Sequence, residues 1–143
     1  MVRAFPLAGL LRLRRLQEES AAGKLAAANA LVRETSEVQA QAYQVLADLP
    51  MAGTGGVTMH AVAAARASSR AMLADLAALG ASRSADAETA RLAFHSARAE
   101  SVGLEKLEAR HAQETAVEEL RSEQLVLDEL AGNSWQRRQK ESN

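Results

Sequence analysis

"DLPMAGTGGVT", residues 48–58, gathers Pro50 and three glycines into a few positions and is the only concentrated helix-breaking signal in the chain. Proline lacks the amide that a helix interior needs, and glycine loses the most backbone freedom on ordering. The sequence on either side is helical in pattern. Two long helices joined by a break can hide their apolar stripes only by folding back on each other. How residues 48–58 are read therefore decides the fold.

Upstream, nothing between Pro6 and Leu49 opposes a helix except Gly9 and Gly23, each of which costs about 1 kcal/mol relative to alanine in a helix interior. Pro6 suits a first turn. A helix over residues 6–49 would run roughly 65 Å at the standard rise. A seven-residue frame fits it. Positions 4, 11, 18, 25, 32, 39 and 46 read Ala, Leu, Glu, Leu, Val, Gln, Leu. Positions 7, 14, 21, 28, 35, 42 and 49 read Leu, Arg, Ala, Ala, Thr, Ala, Leu. Arg14, Glu18, Thr35 and Gln39 interrupt an otherwise apolar seam, the mark of a weak coiled coil.

Downstream, a loop is expected over 50–58, with Thr58 capping a helix over 59–79 whose apolar positions are Val62, Met72, Leu73, Leu76 and Leu79. Gly80, Ser82 and Ser84 predict a kink or short break near 80–85. A last helix follows over 86–131, with Phe94, Leu104, Leu107, Val117, Leu120, Leu127 and Leu130. Gly132 reads as a C-cap and 132–143 as a frayed tail. The expected fold is a single all-α domain, an elongated antiparallel two-helix coiled-coil hairpin with its break near 50–57. Folding back would set Leu7–Leu16 beside Leu120–Leu130 and bring both termini to one tip.

Composition supports that class. Thirty-two alanines and nineteen leucines stand beside no isoleucine and only four aromatics, Phe5, Tyr43, Phe94 and Trp135. These are helix formers, whereas strands favour β-branched and aromatic residues. So few large apolar side chains fit alanine-lined seams rather than a thick core. The formal charge of −1 supplies no field toward nucleic acid. The absence of cysteine excludes disulfides and thiolate metal sites and fits a reducing cytosol. No signal peptide is evident, because three arginines interrupt the apolar stretch 7–16. No segment has the roughly 20 apolar residues that span a bilayer, so a soluble protein is expected.

Chemistry finds little support. The "AGTGG" of 52–56 lacks the Lys-Ser/Thr of a phosphate loop and follows no strand, so it reads as a turn. His60, His95 and His111 have no partner ligand four residues on, and read as helix-surface histidines rather than metal ligands. Glu114, Glu118, Glu119 and Glu123 form an acidic face, and a thin hairpin offers no desolvated pocket in which carboxylates act as acids or bases. No nucleophile elbow is present. No enzyme, no catalytic residue, no cofactor, no metal and no small-molecule substrate are expected.

Two stretches point to partners. In "PLAGLLRLRRLQEES", residues 6–20, Leu7, Leu10 and Leu11 share a face that suits the seam, while Leu13 and Leu16 point to nearly the opposite side, flanked by Arg12 and Arg15. A second apolar stripe rimmed by arginine is what protein interfaces favour. Simple exposure of two leucines is the plainer reading, and leucine with arginine also marks a membrane-surface helix. In "RASSRAMLADLAALG", residues 66–80, Met72, Leu76 and Leu79 take helix-in-groove spacing. Packing against the first helix accounts for them equally well.

The stretches "FPLAGLLRLRRLQEESAAGKLAAA" (5–28) and "LEKLEARHAQETAVEELRSEQLVLDELA" (104–131) together resemble the two ends of the flagellar FliJ family. The resemblance implies a cytoplasmic component of the flagellar type III export apparatus, peripheral at the inner face of the cell membrane and shaped like the central stalk of rotary ATPases. It implies three partners: the hexameric export ATPase, the cytoplasmic linker of the export-gate membrane protein, and export chaperones, with no nucleic acid. Arg12, Leu13, Arg15 and Leu16 would then face the ATPase ring, and Met72, Leu76 and Leu79 the export gate, although the family's aromatic and histidine have no match around Ser68 and Leu79. A structural coiled-coil scaffold and a membrane-surface amphipathic module remain alternatives that periodicity alone supports equally.

Overall fold

The computed structural model describes residues 3–52 and 55–142. It is an all-helical hairpin of two helices packed against each other, α1 (Ala8–Asp48) and α2 (Gly56–Glu141). The described residues contain no strand. Pro6 lies in a turn just before α1, where the Ala8 amide donates to the Phe5 carbonyl at 3.1 Å. At the other end of α1 the Leu49 amide donates to Leu46 at 3.3 Å. Arg66 of α2 then holds the chain end by donating to the Leu49 and Pro50 carbonyls at 3.4 and 3.5 Å. A cation among orphan carbonyls at a helix C-terminus is favourable on both hydrogen-bond and dipole grounds. Within the expected turn, Gly53 and Thr54 lie outside the described residues.

Three boundaries differ from expectation. α2 begins at Gly56 rather than after Thr58: Gly55 adopts φ 96°, a conformation glycine reaches without steric cost, and its carbonyl accepts the Met59 amide at 3.0 Å. The helices expected over 59–79 and 86–131 are one, because α2 runs through 80–85 without interruption. Gly80 sits in the seam, where an added Cβ would lie 3.8 Å from Thr35 Cγ2. That distance is an ordinary contact, so packing does not require glycine here, and helix cooperativity absorbs its propensity cost. The expected frayed tail 132–143 is helical to Glu141, with Asn143 outside the described residues. Gln, Arg and Lys propagate that end, and Arg138 and Lys140 in the last turn complement its negative dipole.

The chain forms two compact units, Leu16–Arg98 and Met1–Arg15 with Ala99–Asn143. In the first, α1 turns inward at 18, 21, 25, 28, 32, 35, 39, 42 and 46, with Leu49 just beyond the helix. That is the seven-residue frame read from the sequence. α2 answers with 62, 66, 69, 73, 76, 80, 83, 87, 90, 94 and 97, again alternating steps of four and three. The α2 residues are Val62, Arg66, Ser69, Leu73, Leu76, Gly80, Arg83, Ala87, Ala90, Phe94 and Ala97, so large apolar side chains are sparse. Small residues let backbones approach closely, and this seam is thin.

In the second unit, Leu11 and Arg14 of α1 face 101, 104, 108, 111 and 115 of α2. Leu11 and Ser101 are buried there. This unit corrects the expected register. Arg14 pairs with Glu100, Arg15 with Glu105, and the Phe5 ring lies 5.6 Å from the His111 ring. Leu7–Leu16 therefore does not sit beside Leu120–Leu130, and the two chain ends do not share a tip. From His111, α2 continues to Glu141, about 45 Å farther at 1.5 Å per residue. Every residue from Leu120 to Ser142 is exposed. α2 has 86 residues against 41 in α1, so its last stretch has no α1 to pair with.

Candidate protein-interaction surface

The seam uses few of the large apolar residues. Of Leu7, Leu10 and Leu11, only Leu11 enters it; the other two are partly exposed. Leu13 and Leu16 stand off the seam at 49% and 58% exposure. Burying a leucine fully is worth about 1.5–3 kcal/mol, so a partner that covers both gains a free energy the isolated chain leaves unused. Arg12 is exposed beside them. Arg15 is turned toward α2: its Nε donates to Glu105 Oε1 at 3.4 Å and its Nη2 lies 3.9 Å from Glu108 Oε2. It spans the two helices rather than lining the leucines alone.

In the other unit, the three residues expected to act together are divided. Leu76 is half-buried in the seam, whereas Met72 and Leu79 are exposed. A partner could reach the latter pair without opening the hairpin. Sequence reasoning attached nothing to Leu31, Val38 and Val45, which are also exposed. The signal was present as a seven-residue apolar row lying one position before seam residues 32, 39 and 46. A frame that follows the seam passes over this row, which lies one position outside it.

Ionic contacts between the helices orient these surfaces. Arg98 Nη1 donates to Glu18 Oε1 at 2.8 Å within the first unit, and Arg14 Nη1 to Glu100 Oε2 at 2.6 Å within the second. Along α2, Arg91 grips Glu88 through two hydrogen bonds, Nε to Oε2 at 2.8 Å and Nη2 to Oε1 at 2.5 Å, and holds its carboxyl below the usual carboxylate range. Exposed pairs of this kind set register more than they stabilise. His60 and His95 lie on the helix surface, while His111 is half-buried in the seam. Glu114 of the acidic face is bound by Arg110 at 3.0 Å. Among the described residues no group of three or more His, Cys, Asp or Glu side chains is placed to hold a metal ion.

Among the described residues the seam is thin, and many of the large apolar side chains are left outward. The flagellar FliJ protein family matches residues 3–140. The chain belongs to the FliJ family. No curated protein and no solved structure matches it. Membership makes this FliJ-family chain a component of the flagellar export apparatus. Among its described residues no helix is long and apolar enough to cross a membrane.

Proposed function

We propose that this FliJ-family chain is a non-catalytic stalk that binds the hexameric export ATPase, stimulates it, and links it to the export-gate linker and export chaperones at the inner face of the membrane. One observation carries the ATPase contact: Leu13 and Leu16 face outward beside Arg12 on a helix whose seam is already filled by Leu11. Aliphatic groups rimmed by arginine are the composition of an interface core. The run after Leu120 leaves Leu127 and Leu130 exposed as further apolar groups for a partner. A single asymmetric hairpin in a six-fold ring touches only some subunits at a time. It shifts their conformational equilibrium by its differential affinity, the only way a bound protein can do so.

The test is the ATPase rate and ring assembly of the export ATPase with the native chain and with Leu13→Asp combined with Leu16→Asp. Loss of stimulation by a variant that remains helical supports the reading; full stimulation by it overturns the assignment. Met72 and Leu79 are proposed for the gate, with Leu76 acting as their seam support. Capture of the gate's cytoplasmic linker by the native chain, lost in Met72→Glu with Leu79→Glu, tests that part.

A further inference from the structure

The two flanks of the seam in the Leu16–Arg98 unit differ in character. On one, Gln17 and Lys24 of α1 share a groove with Asp86 and Ala93 of α2. Each of these residues stands one position before a seam residue, so the rows that precede the seam on the two helices lie on the same flank. Continuing both rows toward the turn brings Leu31, Val38 and Val45 together with Leu79 and Met72. All five are 36% to 59% exposed. Five large aliphatic groups on one flank of a two-helix pair form a contiguous apolar patch, the kind that marks a docking site. Apolar rows at the seam and at one flanking position also make the wide face by which a helix pair accepts a third helix.

Charge identifies the occupant. Glu34 lies three residues after Leu31 and four before Val38, Asp48 three after Val45, and Asp75 between Met72 and Leu79, so each sits on the outer rim of the patch. Asp86 closes the row beyond Leu79, and Lys24 stands outside the apolar stretch. Arg70, Arg91 and Arg98 follow seam residues by one position and occupy the opposite flank, where Arg98 meets Glu18 and Arg91 meets Glu88. The patch is thus apolar with an acidic rim. A second copy of the chain would oppose carboxylate to carboxylate, and an anionic lipid surface would be repelled in the same way.

We infer that this flank is a docking groove for a partner's amphipathic helix whose apolar stripe is bordered by lysine or arginine, with Leu31, Val38 and Val45 of α1 supplying half of the site. The inference deepens the gate-facing reading of Met72 and Leu79, with which it shares those two side chains, and rests on it for the partner's place in the apparatus. Val38 and Val45 carry it independently, since they lie on the helix to which that reading gives no role.

A dye-labelled synthetic amphipathic helix with lysine at its flanking positions, and a twin carrying glutamate there, are titrated against the whole chain by fluorescence anisotropy. The lysine peptide is expected to bind roughly tenfold tighter than its twin or better, and to weaken by about tenfold in Val38→Glu with Val45→Glu. Both sites are exposed, so the variant keeps its fold, and circular dichroism checks that it does. Glu34→Lys with Asp75→Lys should invert the preference between the peptides. Equal binding of both peptides, or binding indifferent to the α1 substitutions, overturns the inference. If the α1 variant binds the peptide normally yet linker capture still depends on Met72 and Leu79, the groove fails while the gate reading stands. If the groove behaves as expected and no linker is captured, only the gate reading fails.

Discussion

Arg14 donates to Glu100 at 2.6 Å across eighty-six residues of chain, and this pair fixes which part of α2 the N-terminal leucines can meet. With Phe5 against His111 on the same helix pair, it places Leu10 level with residues near Leu107. Spin labels at Leu10→Cys with Leu107→Cys should therefore be separated by little more than the 8–10 Å that packed helices impose, plus the label arms. Labels at Leu10→Cys with Leu127→Cys should be about 30 Å farther along the axis at 1.5 Å per residue. Pulsed dipolar spectroscopy reads both. A short distance for the second pair would refute the register.

The Arg14–Glu100 pair is partly exposed on both sides, at 34% and 48% of the side chain. Its removal should be modest in cost. Arg14→Glu or Glu100→Arg alone should lower stability by about 0.5–1 kcal/mol, and the double exchange should restore most of it. Urea melts of the four chains give the coupling, which should shrink at high salt.

Ser101 is fully buried and its hydroxyl finds no hydrogen-bond partner. A buried unsatisfied group costs about 1–3 kcal/mol, so deleting it is a gain. Ser101→Ala should raise the melting temperature by a few degrees, helped by alanine's better helix propensity. A fall in thermal stability would show that the hydroxyl is satisfied after all.

Two glycines should respond in opposite directions. At Gly80 an added methyl meets Thr35 Cγ2 at 3.8 Å, an ordinary contact, so Gly80→Ala should stabilise by about 0.5–1 kcal/mol. At Gly55 the backbone sits at φ 96°, and Gly55→Ala should cost about 1–2 kcal/mol despite open space around it. Calorimetry on the two variants should give shifts of opposite sign.

The hairpin was legible because Pro50 and the glycines around it left one place to turn, and the seam of α1 followed directly from the seven-residue frame. The seam of α2 was legible only in part: Val62, Leu73, Leu76, Phe94 and Leu104 enter it as expected, but it also takes Arg66, Ser69, Gly80, Arg83 and Ser101, while Met72, Leu79, Leu107 and Leu120, which look like core residues, stand outside it. A pattern search weighted by side-chain size follows leucine, but a narrow seam selects small residues and gives large ones to the flanks. The pairing of Leu7–Leu16 with Leu120–Leu130 fails on length: α1 has 41 residues and α2 86, so Arg14 reaches Glu100 and Phe5 reaches His111, well short of Leu120. The outward position of Leu13 and Leu16 was readable from helical angle alone, whereas the ion pairs that occupy Arg15 required both helices in place.

In the Leu16–Arg98 unit the seam of α2 alternates three- and four-residue steps from Val62 to Ala97 without a skip. Removing one residue inside that run would rotate everything after it by about 100° and carry flank side chains into the interface. Insertions and deletions in this lineage should thus accumulate in the turn and in the stretch beyond Leu120. Inside the paired helices they should survive only as whole heptads lost or gained by both partners together.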